Sequence, residues 1–223
     1  MYSLVKLVWY RYHPFMSTKP DVGEIVVAEL ISQLGRIAHG EGFVGGLTPA
    51  QWSVLRYFSR ANQFSRTVSA FAEFHGTTRG TASQTVKSLV NRGYLIRTRS
   101  RRDGRSVRLD LTEKGKKALA DDPFEILVRA ARALSPTAHS SLERALERMV
   151  RHVAQEYGRC PFGTCPSCLY LRGDGSCVEG RPPYECGFLD EPLEEAELDL
   201  VCVNFEPGRN SAMKRTFAEK RPQ

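Results

Sequence analysis

The sequence predicts a mainly α chain that closes with a small, irregular, cysteine-rich module. Three observations lead there. Apolar residues recur at helical spacing, between capping residues, over most of the first 157 positions. One Asp-Gly pair, Asp103-Gly104, lies between two short runs suited to strands, which marks a single hairpin. All six cysteines fall between 160 and 202, and the 159 residues before them contain none.

The first helix is carried by "DVGEIVVAELISQLGRIAHG", with Val27, Leu30, Ile31, Leu34 and Ile37 at helical spacing. In "LTPAQWSVLRYFSRA", Thr48 is placed to cap a second helix, Pro49 opens it and Gln51 completes a capping box. Trp52, Leu55 and Phe58 then face the core. A short helix follows in "TVSAFAEFHG", with Val68, Phe71 and Phe74 as its stripe. After Gly76 another begins, capped by Thr77 or Thr78. Its inner residues are Ala82, Val86, Leu89 and Val90, and Gly93 stops it. Two short helices around a tight turn, followed by a hairpin, have the order of a winged helix-turn-helix.

The outer face of that last helix points to its use. Thr78, Arg79, Thr81, Ser83, Gln84 and Lys87 are hydrogen-bonding or cationic, and Gly80 lets a partner approach the backbone. An ordinary solvated face also carries glutamates, yet no acid occurs between Glu73 and Asp103. Base and phosphate contacts in a major groove call for these residue types. Seven arginines follow at 92, 97, 99, 101, 102, 105 and 108. Arg101, Arg102 and Arg105 sit at the hairpin tip beside Asp103, placed to reach phosphates or a narrow minor groove. Beyond the hairpin, Thr112, Asp122-Pro123 and Ser135-Pro136 each restart a helix. The last of these carries Leu142, Leu146, Met149 and Val153 on one stripe.

Charge divides the chain. The whole carries +7, but Tyr157–Glu206 holds ten acids against three basic residues and Pro207–Gln223 one acid against five. Residues 1–156 therefore carry an excess of ten positive charges, which fits a polyanionic partner such as double-stranded DNA. The reading is an N-terminal extension (1–20), a DNA-binding and dimerisation domain (21–157), a cysteine module (158–206) and a basic tail (207–223). The first residues lack an export pattern, and no run approaches the ~18 apolar residues of a membrane span, so a cytoplasmic protein without membrane partners is expected.

"LTPAQWSVLRYFSRA", "TTRGTASQTVKSLVNRGYLIR", "RRDGRSVRLDLTEKGKKAL" and "LSPTAHSSLERALERMV" together resemble the MarR (multiple-antibiotic-resistance regulator) family of winged-helix transcriptional regulators, over about Asp21 to Tyr157. The tightest match is Asp103, Arg105 and Ser106 followed by Leu111, Thr112 and Gly115. The resemblance implies a homodimer joined through the first and last long helices, with one recognition helix and one wing per subunit. It places Thr78, Arg79, Thr81, Gln84 and Lys87 at the major groove and Arg105 at the minor groove. It also leaves room for a small-molecule effector. Two departures stand out: Phe71 and Phe74 replace a usual Leu-Ala pair, and the family ends near residue 157.

Residues 158–206 are rich in proline and glycine and poor in large apolar side chains, so they need a staple. In a reducing compartment, clustered thiols suit metal ligation better than disulfides. The spacing Cys160-x4-Cys165-x2-Cys168 resembles that of plant-type ferredoxins, which favours an iron–sulfur cluster. Zinc is the alternative, although it more often shows two Cys-x-x-Cys knuckles or histidines. Disulfides formed under oxidative stress and a redox-active Cys165-Pro-Ser-Cys168 are further readings; the latter lacks its usual βαβ setting. The favoured ligands are Cys165, Cys168, Cys177 and Cys186, with Cys160 and Cys202 behind them. No Ser–His–Asp or paired-carboxylate arrangement stands out, and no catalytic residue is assigned. The expected protein is a DNA-binding transcriptional regulator, not an enzyme, whose DNA binding answers to a cofactor in the module. In the alternative, the module is structural zinc serving dimer stability or partner binding.

Overall fold

A computed structural model describes residues 21–39, 45–99, 107–158, 162–176 and 182–208. The expected Asp103-Gly104 turn, Arg101, Arg102, Arg105, Cys160 and Cys177 lie outside these residues. The described part is mainly helical, with seven α-helices and five short strands.

Helix α1 (Val22–His39) starts at Asp21, whose carboxylate accepts from the Val22 amide at 2.7 Å. Helix α2 (Pro49–Arg60) has the full capping box: Thr48 Oγ1 accepts from Gln51 N at 3.2 Å, and Gln51 Oε1 accepts from Thr48 N at 3.0 Å. Gln51 does more than cap. Its Nε2 donates to Ser88 at 3.0 Å and its Oε1 accepts from Arg92 at 3.1 Å, fixing α2 against the helix-turn-helix.

Helix α3 (Val68–Phe74) and helix α4 (Arg79–Asn91) form that motif. Thr78, rather than Thr77, caps α4, and Gly93 ends it in the left-handed region at φ +75. Strand β1 (Leu95–Arg99) pairs antiparallel with β2 (Val107–Leu111), Leu95 opposite Leu111 and Arg99 opposite Val107. The Thr112-x-x-Gly115 stretch closes this wing. Thr112 caps helix α5 (Glu113–Ala118) and donates to the Gly93 carbonyl at 2.7 Å. Gly115 packs so tightly under the Tyr94 carbonyl that a Cβ there would overlap it.

One apolar core joins these elements. Trp52, Val54, Leu55 and Phe58 from α2 meet Phe71, Val86, Leu89, Leu95 and Leu109, all buried. Removing about 16 such side chains from water is the main stabilising term here. Helices α6 (Glu125–Arg132) and α7 (Pro136–Glu156) lie outside that core and bury no side chain in this chain alone.

Residues 162–208 fold differently. Three two-residue strands, β3 (Leu171–Arg172), β4 (Glu185–Cys186) and β5 (Glu191–Pro192), make a small antiparallel sheet. Its buried cluster is only Cys165, Tyr184, Leu193 and Leu198. The module does not hang from the end of α7. It docks on the loop between α2 and α3: Val201 N donates to Arg60 O at 2.6 Å, Asn62 N to Val201 O at 3.0 Å, and Val203 N to Ser65 Oγ at 2.8 Å. Phe74, expected to face the core, is instead 40% exposed and packs edge-on against Phe162 of the module at 4.9 Å. Phe74 thus forms part of the seam with the module.

Candidate nucleic-acid interface and thiol site

Packing makes α4 a presenting element. Ala82, Val86 and Leu89 anchor it in the core, so the helical period turns Thr78, Arg79, Thr81, Ser83, Gln84 and Lys87 outward. All six are exposed. Ser83, Gln84 and Lys87 make no side-chain hydrogen bond or ion pair among the described residues, which leaves their donors and acceptors available. Thr78 and Thr81 share a hydroxyl contact of 2.9 Å beside the cap, and Arg79 Nε donates to Ser69 at 3.0 Å. Both threonines are therefore partly committed to holding the helix start.

The arginine group divides in two. Arg92 is structural: it donates to Gly46 O at 3.0 Å and to Gln51, and lies over the Tyr94 ring. Arg108 donates to Asp110 at 3.2 Å, and Arg66 to the same oxygen at 3.0 Å. Burial pushes the Asp110 carboxyl up, but bonds from Thr98, Arg108 and Arg66, with the Arg108 charge, outweigh it and hold it below its ordinary value. Arg97 and Arg99 remain exposed along β1 toward the tip.

The thiols are gathered by backbone. A 3-10 turn over Cys165–Ser167, with Cys168 N donating to Cys165 O at 2.9 Å, sets two of them side by side. The β3–β4 pairing places Cys186 opposite Leu171, and Cys202 N donates to Gly163 O at 2.9 Å. Cys165, Cys168, Cys186 and Cys202 consequently line one small cavity of about 10 Å³, with Asn62 and Phe64 from the α2–α3 loop. The expected Cys165, Cys168 and Cys186 are brought together, and Cys202 joins them.

Among the described residues no three ligand side chains stand placed to hold a single ion at once. Lining and gripping differ in what they need. The backbone decides which cavity a thiol faces, whereas one χ1 rotation changes how closely sulfurs approach. Burial pushes the Cys165 thiol up to about 12, reinforced by the neighbouring Cys202, Cys168 and Cys186 and by Glu197. Burial raises Cys202 too, and the nearby Asn62 amide opposes that shift without reaching hydrogen-bond geometry. Such a group ionises together only against a cation.

Asn62 was invisible as a site residue in the sequence. It is fully buried, its Oδ1 accepts from Ser65 Oγ at 2.8 Å and from Phe64 N at 3.2 Å, and its Nδ2 has no hydrogen-bond partner among the described residues. A loop asparagine reads as turn chemistry until the cavity is seen.

The fold is that of a winged-helix DNA-binding domain. Residues 45–106 match the model of the MarR family. That family is one of transcriptional regulators, not enzymes. Similar solved structures include a MarR transcriptional regulator from Methanosarcina mazei Go1 (25% identity, 58% of this chain and 97% of that one, TM-score 0.45). CouR from Rhodococcus jostii RHA1, bound to p-coumaroyl-CoA, shares 18% identity over 58% and 91%, with a TM-score of 0.48. The S. aureus MepR-DNA complex shares 18% over 58% and 91%, with a TM-score of 0.43. No curated protein matches the chain. Among the described residues no helix is long and apolar enough to cross a membrane.

Proposed function

We propose that the chain is a sequence-specific DNA-binding transcriptional regulator that works as a homodimer and whose DNA binding responds to a cofactor held by the thiols of its C-terminal module. The exposed, acid-free face of α4 carries the DNA-binding part. Ser83, Gln84 and Lys87 stand there with unused hydrogen-bonding groups on a helix fixed by its buried side. The dimer rests on helices that lack cover of their own. On α1, Val26, Leu30, Ile31 and Leu34 are exposed, and on α7, Leu142, Leu146, Met149 and Val153 are. Two such stripes bury their apolar area when paired with a second copy.

For the cofactor, the ferredoxin-like spacing favours an iron–sulfur cluster. The second reading is a structural zinc ion, for which the four thiols at one cavity would complete a tetrahedral sulfur set. The DNA reading is tested on duplexes selected from a random-sequence library. Gln84→Ala should change the selected bases and cost ~1–3 kcal/mol on the preferred site. Lys87→Ala should weaken all sequences alike and lower the salt slope by about one. If neither variant alters binding, α4 is not the reading head.

A further inference from the structure

We infer that Cys165, Cys168, Cys186 and Cys202 form one four-thiolate metal centre whose outer shell includes Asn62 of the DNA-binding domain, and that the Ala61–Arg66 loop carries the state of this centre to the wing. The inference deepens the cofactor reading and rests on it, taking Cys202 as the fourth ligand beside Cys165, Cys168 and Cys186.

Two independent observations support the site. Four cysteines from three separate stretches of the module line one cavity. The polar wall includes Asn204, Tyr170 and Asn62, the last fully buried, with Nδ2 unpartnered among the described residues and Cys202 as its sulfur neighbour. A buried amide donor left without an oxygen partner is costly unless it meets an acceptor, and a metal-bound thiolate is one. Metal ligands are regularly oriented by such outer donors. The class of occupant is a soft metal taking sulfur ligands, iron in a cluster or zinc.

The route to DNA is short and lies within one subunit. Asn62 Oδ1 holds Ser65, and Ser65 Oγ also accepts from Val203, one residue past Cys202. Next along, Arg66 faces both ways: it pairs with Asp110 of β2 at 3.0 Å and with Glu197 of the module at 3.6 Å. Its carbonyl accepts from Leu109 N at 2.9 Å, so the loop is laced to the inner strand of the wing. Glu197 is mostly buried, and its second oxygen has no partner among the described residues, so this link is sensitive to small shifts of the module. A movement of the thiol cage thus reaches β2 through one loop.

The test uses the full-length protein, purified without oxygen and assayed for iron, sulfide and zinc. Wild type should hold metal; Cys202→Ser should lose most of it, whereas Cys160→Ser and Cys177→Ser should keep it. Iron with sulfide identifies a cluster and zinc alone a single ion, and either supports the centre. Full metal in Cys202→Ser, or loss in Cys177→Ser, overturns the ligand set. Metal-free wild type instead overturns the cofactor reading beneath it. Asn62→Asp keeps the acceptor for Ser65 but removes the donor. With an unchanged circular-dichroism spectrum, it should weaken metal retention against a chelator about 10- to 100-fold, and unchanged retention removes Asn62 from the shell.

Coupling is read as the ratio of affinities, metal-loaded to chelator-stripped, for a duplex selected from the random library. Wild type should show about fivefold or more. Glu197→Gln should bring that ratio close to one with metal content intact. A wild-type ratio near one, or a ratio unmoved by Glu197→Gln, refutes the loop as the route.

Discussion

The winged helix and the cysteine module sit side by side in one chain and are held together by different forces. The winged helix has a continuous core of long apolar side chains, from Leu47 and Leu55 to Leu89 and Leu109. The module has four buried residues in its cluster, one of them a cysteine, and strands of two residues each. It is organised by turns, by four thiols around a cavity and by backbone bonds to the α2–α3 loop. A domain that buries enough apolar area needs no further staple, and one that does not must borrow stability from a ligand or a neighbour. The winged helix is therefore expected to fold without the module, and the module not to fold without the winged helix or a ligand.

The largest effect should therefore come from the thiols. Cys165→Ser combined with Cys168→Ser should make residues 162–208 sensitive to limited proteolysis while the winged helix stays folded. Metal ligation in small domains contributes on the order of 10 kcal/mol to folding. A double variant as resistant as wild type would erase the contrast between the two regions.

Next comes the apolar core. Leu55 is fully buried, and Leu55→Ala should cost ~2–5 kcal/mol in denaturant unfolding of the winged helix. Loss of the module together with it would show that the module depends on its neighbour. Retention of a folded module would reverse that order.

A smaller effect is expected at the seam. Phe162→Ala removes the edge-on contact with Phe74 and should cost about 1 kcal/mol, seen as earlier protease cleavage in the module. The smallest is electrostatic. Asp110→Asn should cost no more than about 1 kcal/mol at neutral pH, because the carboxylate is partly exposed among Arg66, Arg108 and Thr98. Its folded-state value is lowered, so its contribution is fully present above the ordinary carboxylate range and disappears as pH falls through the lowered value. A stability difference from wild type that persists in strong acid would mean the substitution acts through packing instead of charge.

Much of the first region could be read without coordinates. Thr48 with Gln51, Thr78 and Ser135 all cap helices where local chemistry places them, because a cap depends on residues only three apart. Helical period likewise assigned Trp52, Leu55 and Val86 inward and Gln84 and Lys87 outward. What escaped was whatever depends on distant segments meeting. Arg92 and Arg108 read as members of a basic wing, yet both are engaged in the fold. Phe74 looked like core until Phe162 arrived from the module.

The sequence by itself determined a winged helix with an acid-free exposed helix face and a thiol-bearing end poor in large apolar residues. Those follow from short-range period, capping and composition, which act within a few residues of the chain. Tertiary structure alone decided that Cys202 shares a cavity with Cys165, Cys168 and Cys186, that Asn62 closes it, and that Arg66 joins the module to the wing. Cys202 and Asn62 are 140 positions apart, and no local pattern encodes a contact over that span. It comes from the docking of one folded surface on another, where burial and hydrogen bonding are settled only after both surfaces exist.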